Sequence, residues 1–302
     1  MKTLRLFIFA LLMQAGTALA AERIITDAAG RQVSVPSAPR RVLAMSELDL
    51  DALLALGVKP AGATRGRGQQ AMPRYLGKAA AAIPSVGNFA SPVPELALAL
   101  QPDLILAGGI PDPALLARLS RIAPTVVTYR PGDHWQGAFR RVAGAVGKST
   151  QGDAVLAGYQ RRAAALRARL QGQTSASVSV VRWNPQGPAY MLRDSFASLV
   201  LADLQLRRPA SQQQPGAAHS PPLSMESLSL IDGDWLFVGT LDGAGAASRA
   251  MQAAAVNPAF GRLGAVKQGH MRAVDGSLWT GPGGPLAANA ILADIEKAML
   301  QP

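Results

Sequence analysis

The chain has no cysteine in 302 residues, only three histidines, and few aromatic rings. Each shortage excludes some chemistry. Without cysteine there is no disulfide framework, no thiolate metal site and no thiol nucleophile. His134, His219 and His270 are far apart in sequence and lack metal-ligand spacing, so each reads as a satisfied or exposed ring. No G-x-S-x-G elbow is present, and Gly147-Lys148-Ser149 lacks the glycine that opens a phosphate loop, Val142 standing in its place. Among enzymes this leaves an α/β hydrolase with dispersed catalytic residues, which ranks behind a binding protein. Acidic residues are also scarce: 19 Asp and Glu face 30 Lys and Arg, for a formal charge of +11. The basic residues are dispersed, mostly as arginine on predicted helices, with no basic run interleaved with aromatics. That argues against a nucleic-acid partner and leaves an anionic small ligand or an acidic membrane surface.

Long apolar runs are missing as well. The one that stands out, Leu6 to Met13 behind Lys2 and Arg5, is too short to span a bilayer. Ala18-Leu19-Ala20 then supplies a small-x-small cleavage pattern. Residues 1–20 therefore read as a cleavable signal peptide, with the exported chain starting at Ala21. No cysteine follows to carry a lipid anchor, so the expected location is the periplasm of a Gram-negative cell.

What is present is alternation. After a small hairpin over Ile24 to Val35, short apolar strands (Arg41–Met45, Leu104–Ala107, Thr125–Tyr129) alternate with helices (Leu48–Leu56, Pro94–Leu100, Asp112–Ile122). That spacing predicts a mostly parallel α/β sheet. One long helix follows, capped by Ser149 or Thr150 and ended by Gly172. Its apolar stripe is Leu156, Tyr159, Ala163, Leu166 and Leu170, at alternating steps of three and four. The alternation then restarts, with strands at Ser177–Arg182, Ala189–Leu192, Asp234–Val238 and His270–Val274, helices at Phe196–Leu204 and Ala246–Ala255, and a closing helix after Gly281-Pro282-Gly283-Gly284-Pro285. The fold class is α/β: two α/β lobes with mostly parallel sheets bridged by a single long α-helix. The boundaries are 21–148 for the first lobe, 149–172 for the bridge and 173–302 for the second lobe.

Several segments, in order, carry a resemblance. They are Pro39-Arg40-Arg41-Val42-Leu43-Ala44, then Asp51 to Pro60 (DALLALGVKP), and Val86-Gly87 leading to Glu95-Leu96 and Gln101-Pro102-Asp103-Leu104-Ile105. Ile122-Ala123-Pro124-Thr125, Ser224-Met225-Glu226-Ser227-Leu228, Asp234-Trp235-Leu236-Phe237 and Trp279-Thr280-Gly281 follow. Each is weak alone; their shared order covers nearly all the chain after residue 20. The pattern resembles the periplasmic binding proteins that serve siderophores, haem and cobalamin, and is most similar to the ferric hydroxamate and related ferric siderophore branch.

The resemblance implies a ligand cleft between the lobes, little lobe motion on binding, no catalytic residues and no resident cofactor or metal. The implied partners are a ferric siderophore as cargo and an inner-membrane ABC permease with its ATPase, met as a monomer. Haem or cobalamin is the alternative cargo, for which Tyr75, Tyr190, His134 and His219 are the axial-ligand candidates. Glu95 and Glu226 match the family's importer-docking glutamates, and each also sits in a predicted first helical turn, where a carboxylate favours the helix dipole. Aromatic and guanidinium groups suit a ferric chelate. The cleft candidates are therefore Arg65, Arg67, Phe89, Trp183, Tyr190, Arg193 and Trp279, while Trp235 reads as core. The chain departs from its hydroxamate-binding relatives in two places: Phe89 stands where they carry a chelate-gripping arginine, and Ala218-His219 where they carry a tryptophan. The charge then falls to Arg65 or Arg67.

Overall fold

The computed structural model describes residues 21–110, 112–173 and 175–300; the expected signal peptide lies outside the described residues. Chain alternation becomes two sheets. The first lobe holds β3 (Val42–Ala44), β4 (Gly62–Arg65), β5 (Ser85–Asn88), β6 (Ser91–Pro92), β7 (Leu104–Leu106) and β8 (Thr125–Val126), in the order β6-β5-β4-β3-β7-β8. The second holds β9 (Val178–Asn184), β10 (Gly187–Tyr190), β11 (Trp235–Thr240) and β12 (Met271–Asp275), in the order β10-β9-β11-β12. Every neighbouring pair is parallel except β5/β6 and β9/β10. The central strands are buried end to end, as expected for strands covered by helices on both faces.

A hairpin of β1 (Glu22–Thr26) and β2 (Gln32–Pro36) turns at Gly30, whose φ of 79° suits glycine. It lies along the free edge of β8. Ala28 N donates to Val127 O at 2.8 Å, Val127 N donates to Asp27 Oδ2 at 3.2 Å, and Arg31 Nη2 donates to Thr125 O at 2.9 Å.

The bridging helix runs Ser149–Arg169, 21 residues or about 31 Å at 1.5 Å per residue. The predicted stripe is its buried face: Leu156, Tyr159, Ala163, Leu166 and Leu170 are at most 4 % exposed. Its ends differ from expectation. Lys148 holds the N-cap position without a side-chain bond to the helix N–H groups, Ser149 is already helical, and the helix stops at Arg169 before a 3-10 turn containing Gly172. One side packs on a helix absent from the sequence reading, Trp135–Ala145, so closely that a Cβ on Gly152 would come within 2.6 Å of Ala143 Cβ. The other side packs on the last helix, Pro285–Leu300, with Arg162 donating to Asn289 Oδ1 at 3.2 Å and Arg169 paired with Glu296. Apolar residues of both lobes, the bridge and the last helix form one continuous core.

Direct polar ties join the lobes elsewhere. Asp51, on the first-lobe helix Glu47–Ala55, caps the last helix from across the boundary. Leu286 N donates to its Oδ1 at 2.9 Å, Ala287 N to its Oδ2 at 2.8 Å, and Tyr75 Oη to its Oδ2 at 3.1 Å. Gly284 makes this possible, because a Cβ there would sit 2.5 Å from Asp51 Oδ1. Beside Tyr75, Arg74 pairs with Asp275 at 2.6 Å and donates to Thr240 O at 3.1 Å. Among the described residues no helix is long and apolar enough to cross a membrane.

Candidate binding cleft

Parallel strands direct their C-terminal ends to one edge of each sheet, where loops and helix starts gather ligand groups. Both sheets present that edge to the same gap. Arg67 follows β4, the segment Tyr129 to Asp133 follows β8, Arg182 lies near the end of β9, and Thr280 to Gly283 follow β12. Together they line a cleft of about 430 Å³, within the usual size of small-molecule sites. A depression of about 700 Å³ around Trp235, His270 and Arg272 is larger, but it lies at the N-terminal ends of β11 and β12 and involves one lobe and the end of the bridge. The strand-edge argument therefore selects the cleft shared by both lobes.

One wall is apolar and already packed. Trp135 meets Tyr159 edge-on at 5.0 Å and Phe196 at 5.9 Å. The rings of Trp135, Tyr129 and Phe196 are at most 8 % exposed, so they seal the wall and offer little free face. Burial, ahead of nearby charges, pushes the Tyr129 phenol well above its ordinary value, so it stays protonated.

The charged part of the cleft is led by arginines. Arg67 stands over the Phe89 ring, its guanidinium carbon 4.0 Å from the centroid, an arrangement that orients it. Buried Glu47 accepts from Arg67 N at 2.7 Å, and its other oxygen lies 3.3 Å from Arg67 Nε. Burial raises the Glu47 carboxyl above its ordinary value; the Arg67 charge opposes this without cancelling it. Across the gap, Arg182 is held by neutral groups. Its Nε donates to Thr280 Oγ1 at 3.1 Å and its Nη2 to Thr280 O. Burial and then the Arg67 charge pull the Arg182 guanidinium down to about 10, with Glu47 acting the other way. Arg182 and Arg130 have no carboxylate partner among the described residues, whereas the cleft acids Asp133 and Asp194 are paired with Arg141 and Arg193. His219 is the cleft histidine. Its Nδ1 lies 2.7 Å from the Ser220 carbonyl and so donates to it.

Of the expected cleft residues, the structure brings Arg67 to the gap and Phe89 beneath it. The others are placed differently. Arg65 belongs to a separate depression beside Met72 and Ile83. Arg193 is exposed, 3.1 Å from Asp194. Trp183 and Tyr190 belong to the second lobe's outer core, 2 % and 7 % exposed, Trp183 lying edge-on to Phe260. Trp279 is fully buried, stacked 4.5 Å from Phe237, with Nε1 donating to Asp294 at 2.8 Å. For these three rings, burying a large apolar surface outweighs display at a rim. The glycine-rich stretch before the last helix offers no free anion seat at Leu286 N and Ala287 N, since Asp51 takes both.

Sequence reasoning missed Glu47, Arg130, Trp135 and Arg182 as cleft groups. Arg182 did carry a signal: it is the charged residue inside the apolar strand Val178–Asn184, and a charge buried that way needs a partner or a purpose. Glu95 and Glu226 are both exposed and both in the first turn of short helices. Glu95 follows Pro94 and lies 3.1 Å from Arg118; Glu226 follows Met225.

Known proteins share this architecture. The model of a periplasmic binding protein family matches residues 42–278. The chain is 31% identical over 286 residues to the probable siderophore-binding lipoprotein YfiY of Bacillus subtilis, covering 92% of this chain and 88% of that one. It is 30% identical over 268 residues to the achromobactin-binding periplasmic protein of Dickeya dadantii, covering 86% of each. The crystal structure of Staphylococcus aureus SirA complexed with staphyloferrin B superposes with a TM-score of 0.79 at 23% identity, over 92% of this chain and 98% of that one. With two sheets facing one cleft across a helical bridge, the chain belongs to the periplasmic binding protein family.

Proposed function

We propose that this protein binds a ferric siderophore in the interlobe cleft and delivers it to an ABC importer for iron uptake. The observation that carries the reading is the cleft itself, two guanidinium groups from opposite lobes facing one gap at the strand C-termini. The names of two relatives, a siderophore-binding lipoprotein and an achromobactin-binding protein, support it. The family consists of substrate-binding proteins, so no catalytic residues are assigned.

The finer reading has four parts. The units are residues 21–148, 149–172 and 173–302. Glu95 and Glu226 are the importer-docking groups, one exposed carboxylate on each lobe. The location is the periplasm and the working form is a monomer. Arg67 is the cleft residue retained from the sequence reading, with Phe89 supporting it.

Trp135 beside the cleft makes fluorescence a direct probe. Titrating the exported form with ferric siderophores, haem and cobalamin should give saturable quenching by a ferric siderophore; saturation by haem or cobalamin alone would overturn the reading. Glu95→Ala with Glu226→Ala should leave ligand affinity unchanged and impair uptake, and loss of affinity in that variant would remove the docking role.

A further inference from the structure

We infer that the cleft selects a ferric chelate bearing free carboxylates, gripped from opposite lobes by Arg67 and Arg182, with Thr280 and Glu47 as the positioning residues. The inference rests on the cleft being the siderophore site and names the class of chelate it accepts.

The first argument is charge. Arg67 and Arg182 are close enough for the charge of one to depress the other's proton affinity, and among the described residues no acid forms an ion pair with Arg182, the Glu47 charge reaching it only from its place beside Arg67. Arg130 adds a third cation without a carboxylate partner at the same gap. Two like charges facing each other from separate lobes repel; an anion placed between them replaces that repulsion with two attractions and ties the lobes through the ligand. A neutral or cationic chelate would leave both guanidiniums desolvated and unpaired, which costs affinity.

The second argument is geometry. Arg182 is pinned by Nε and Nη2 against Thr280, and its Nη1 has no protein partner among the described residues. Arg67 is fixed by Glu47 on its Nε side and by the Phe89 ring, with no partner among the described residues for its two terminal nitrogens. Planar, immobilised forks match carboxylate oxygens two to two.

The third argument is what the walls do not offer. A tricatecholate chelate is also anionic but wraps its charge in aromatic rings, which gain affinity from open ring faces to pack on. Here Trp135, Tyr129 and Phe196 are at most 8 % exposed, already packed against the core. The rest of the cleft lining is mixed, small aliphatic side chains such as Leu199, Ala217 and Ala218 beside the cationic groups, with no open ring face, which suits a compact polyanion.

The test is calorimetric titration of the purified exported chain with ferric citrate, ferrioxamine B (a cationic trihydroxamate) and ferric enterobactin (a tricatecholate). The expected result is binding of ferric citrate at least about tenfold tighter than either other probe. Arg182→Gln should weaken ferric citrate about 30-fold and Arg67→Gln about tenfold, with each variant's thermal transition retained. Should Arg182→Gln fail to fold, Thr280→Val keeps the charge, loosens its placement and should weaken binding several-fold. Restored affinity in Arg182→Lys would overturn the forked geometry. Tighter binding of ferrioxamine B or ferric enterobactin than of ferric citrate would overturn the carboxylate class and leave the siderophore site standing. No binding of any probe would remove the site and the class together.

Discussion

Asp51 and Arg182 are both buried charges at the boundary between the lobes, and they are treated in opposite ways. Asp51 accepts two backbone N–H groups and a tyrosine hydroxyl, and neighbouring Asp49 accepts from Ser46, Thr128 and Gly108. Arg182 has only the Thr280 oxygens and faces another arginine. Behind the cleft the chain satisfies its charges internally; inside the cleft it leaves cations for a ligand to satisfy. The contrast separates groups that hold the lobes together from groups that hold cargo, and perturbing each should move a different observable.

The largest expected effect is on stability against pH. Burial raises Asp49 and Asp51 to about 6 each, above the ordinary unfolded value near 4. A raised folded value means stability that is full below the unfolded value and lost as pH rises through the folded one. Chemical denaturation should therefore show stability increasing on acidification from pH 7 to pH 4, by up to about 3 kcal/mol per group. The depressed carboxyls Asp27, Asp194 and Asp234 act below that window. A fall in stability over the same range would contradict the burial argument.

Next in size is Asp51→Ala. It strands two buried N–H donors at the start of the last helix and should cost about 2 kcal/mol, read as a lowered denaturation midpoint. Ligand affinity should stay within about twofold, because Asp51 does not line the cleft; a collapse of binding would erase the contrast. A smaller effect sharpens it from the other side. Glu47→Gln removes the one acid that offsets Arg67, making the first-lobe arginine as unpaired as Arg182. Affinity for an anionic chelate should rise about threefold, roughly 0.6 kcal/mol, and become less dependent on pH. The glutamine keeps an oxygen to accept from Arg67 N, so weaker binding would show that the carboxylate charge itself is needed to place the fork. The smallest effect concerns shape. With Asp51, Arg74 and the bridging helix all tying the lobes, the scattering radius with and without ligand should agree to about 1 Å, and a larger contraction would show that the ties give way.

Much of the architecture was legible because it depends on periodicity. The stripe from Leu156 to Leu170 and the buried strands Leu104–Leu106 and Trp235–Thr240 are patterns that a sequence displays directly. The helix Trp135–Ala145 was hidden by Gly137 and Gly144, two poor helix formers, although Trp135, Phe139 and Val142 recur at helical spacing. The cleft was much less legible. Aromatic residues near strand ends looked suited to ligand contact, yet Trp183, Tyr190 and Trp279 repay the chain more by packing, which only the three-dimensional surroundings reveal. Arg67 was found because it sits in a polar loop. Arg182 was overlooked because its neighbours in sequence are apolar, and its significance comes from Arg67 and Thr280, distant in sequence.

The hairpin near the start of the described chain has a consequence for solubility. An uncovered outer strand displays a row of vacant backbone groups on which a second molecule can add a strand, the first step toward aggregation. By engaging Thr125 and Val127, the segment from Asp27 to Arg31 occupies that row with the protein's own residues. These few residues act as a seal, and a chain cut after Pro36 would keep its cargo site yet bring a sticky margin into contact with its neighbours.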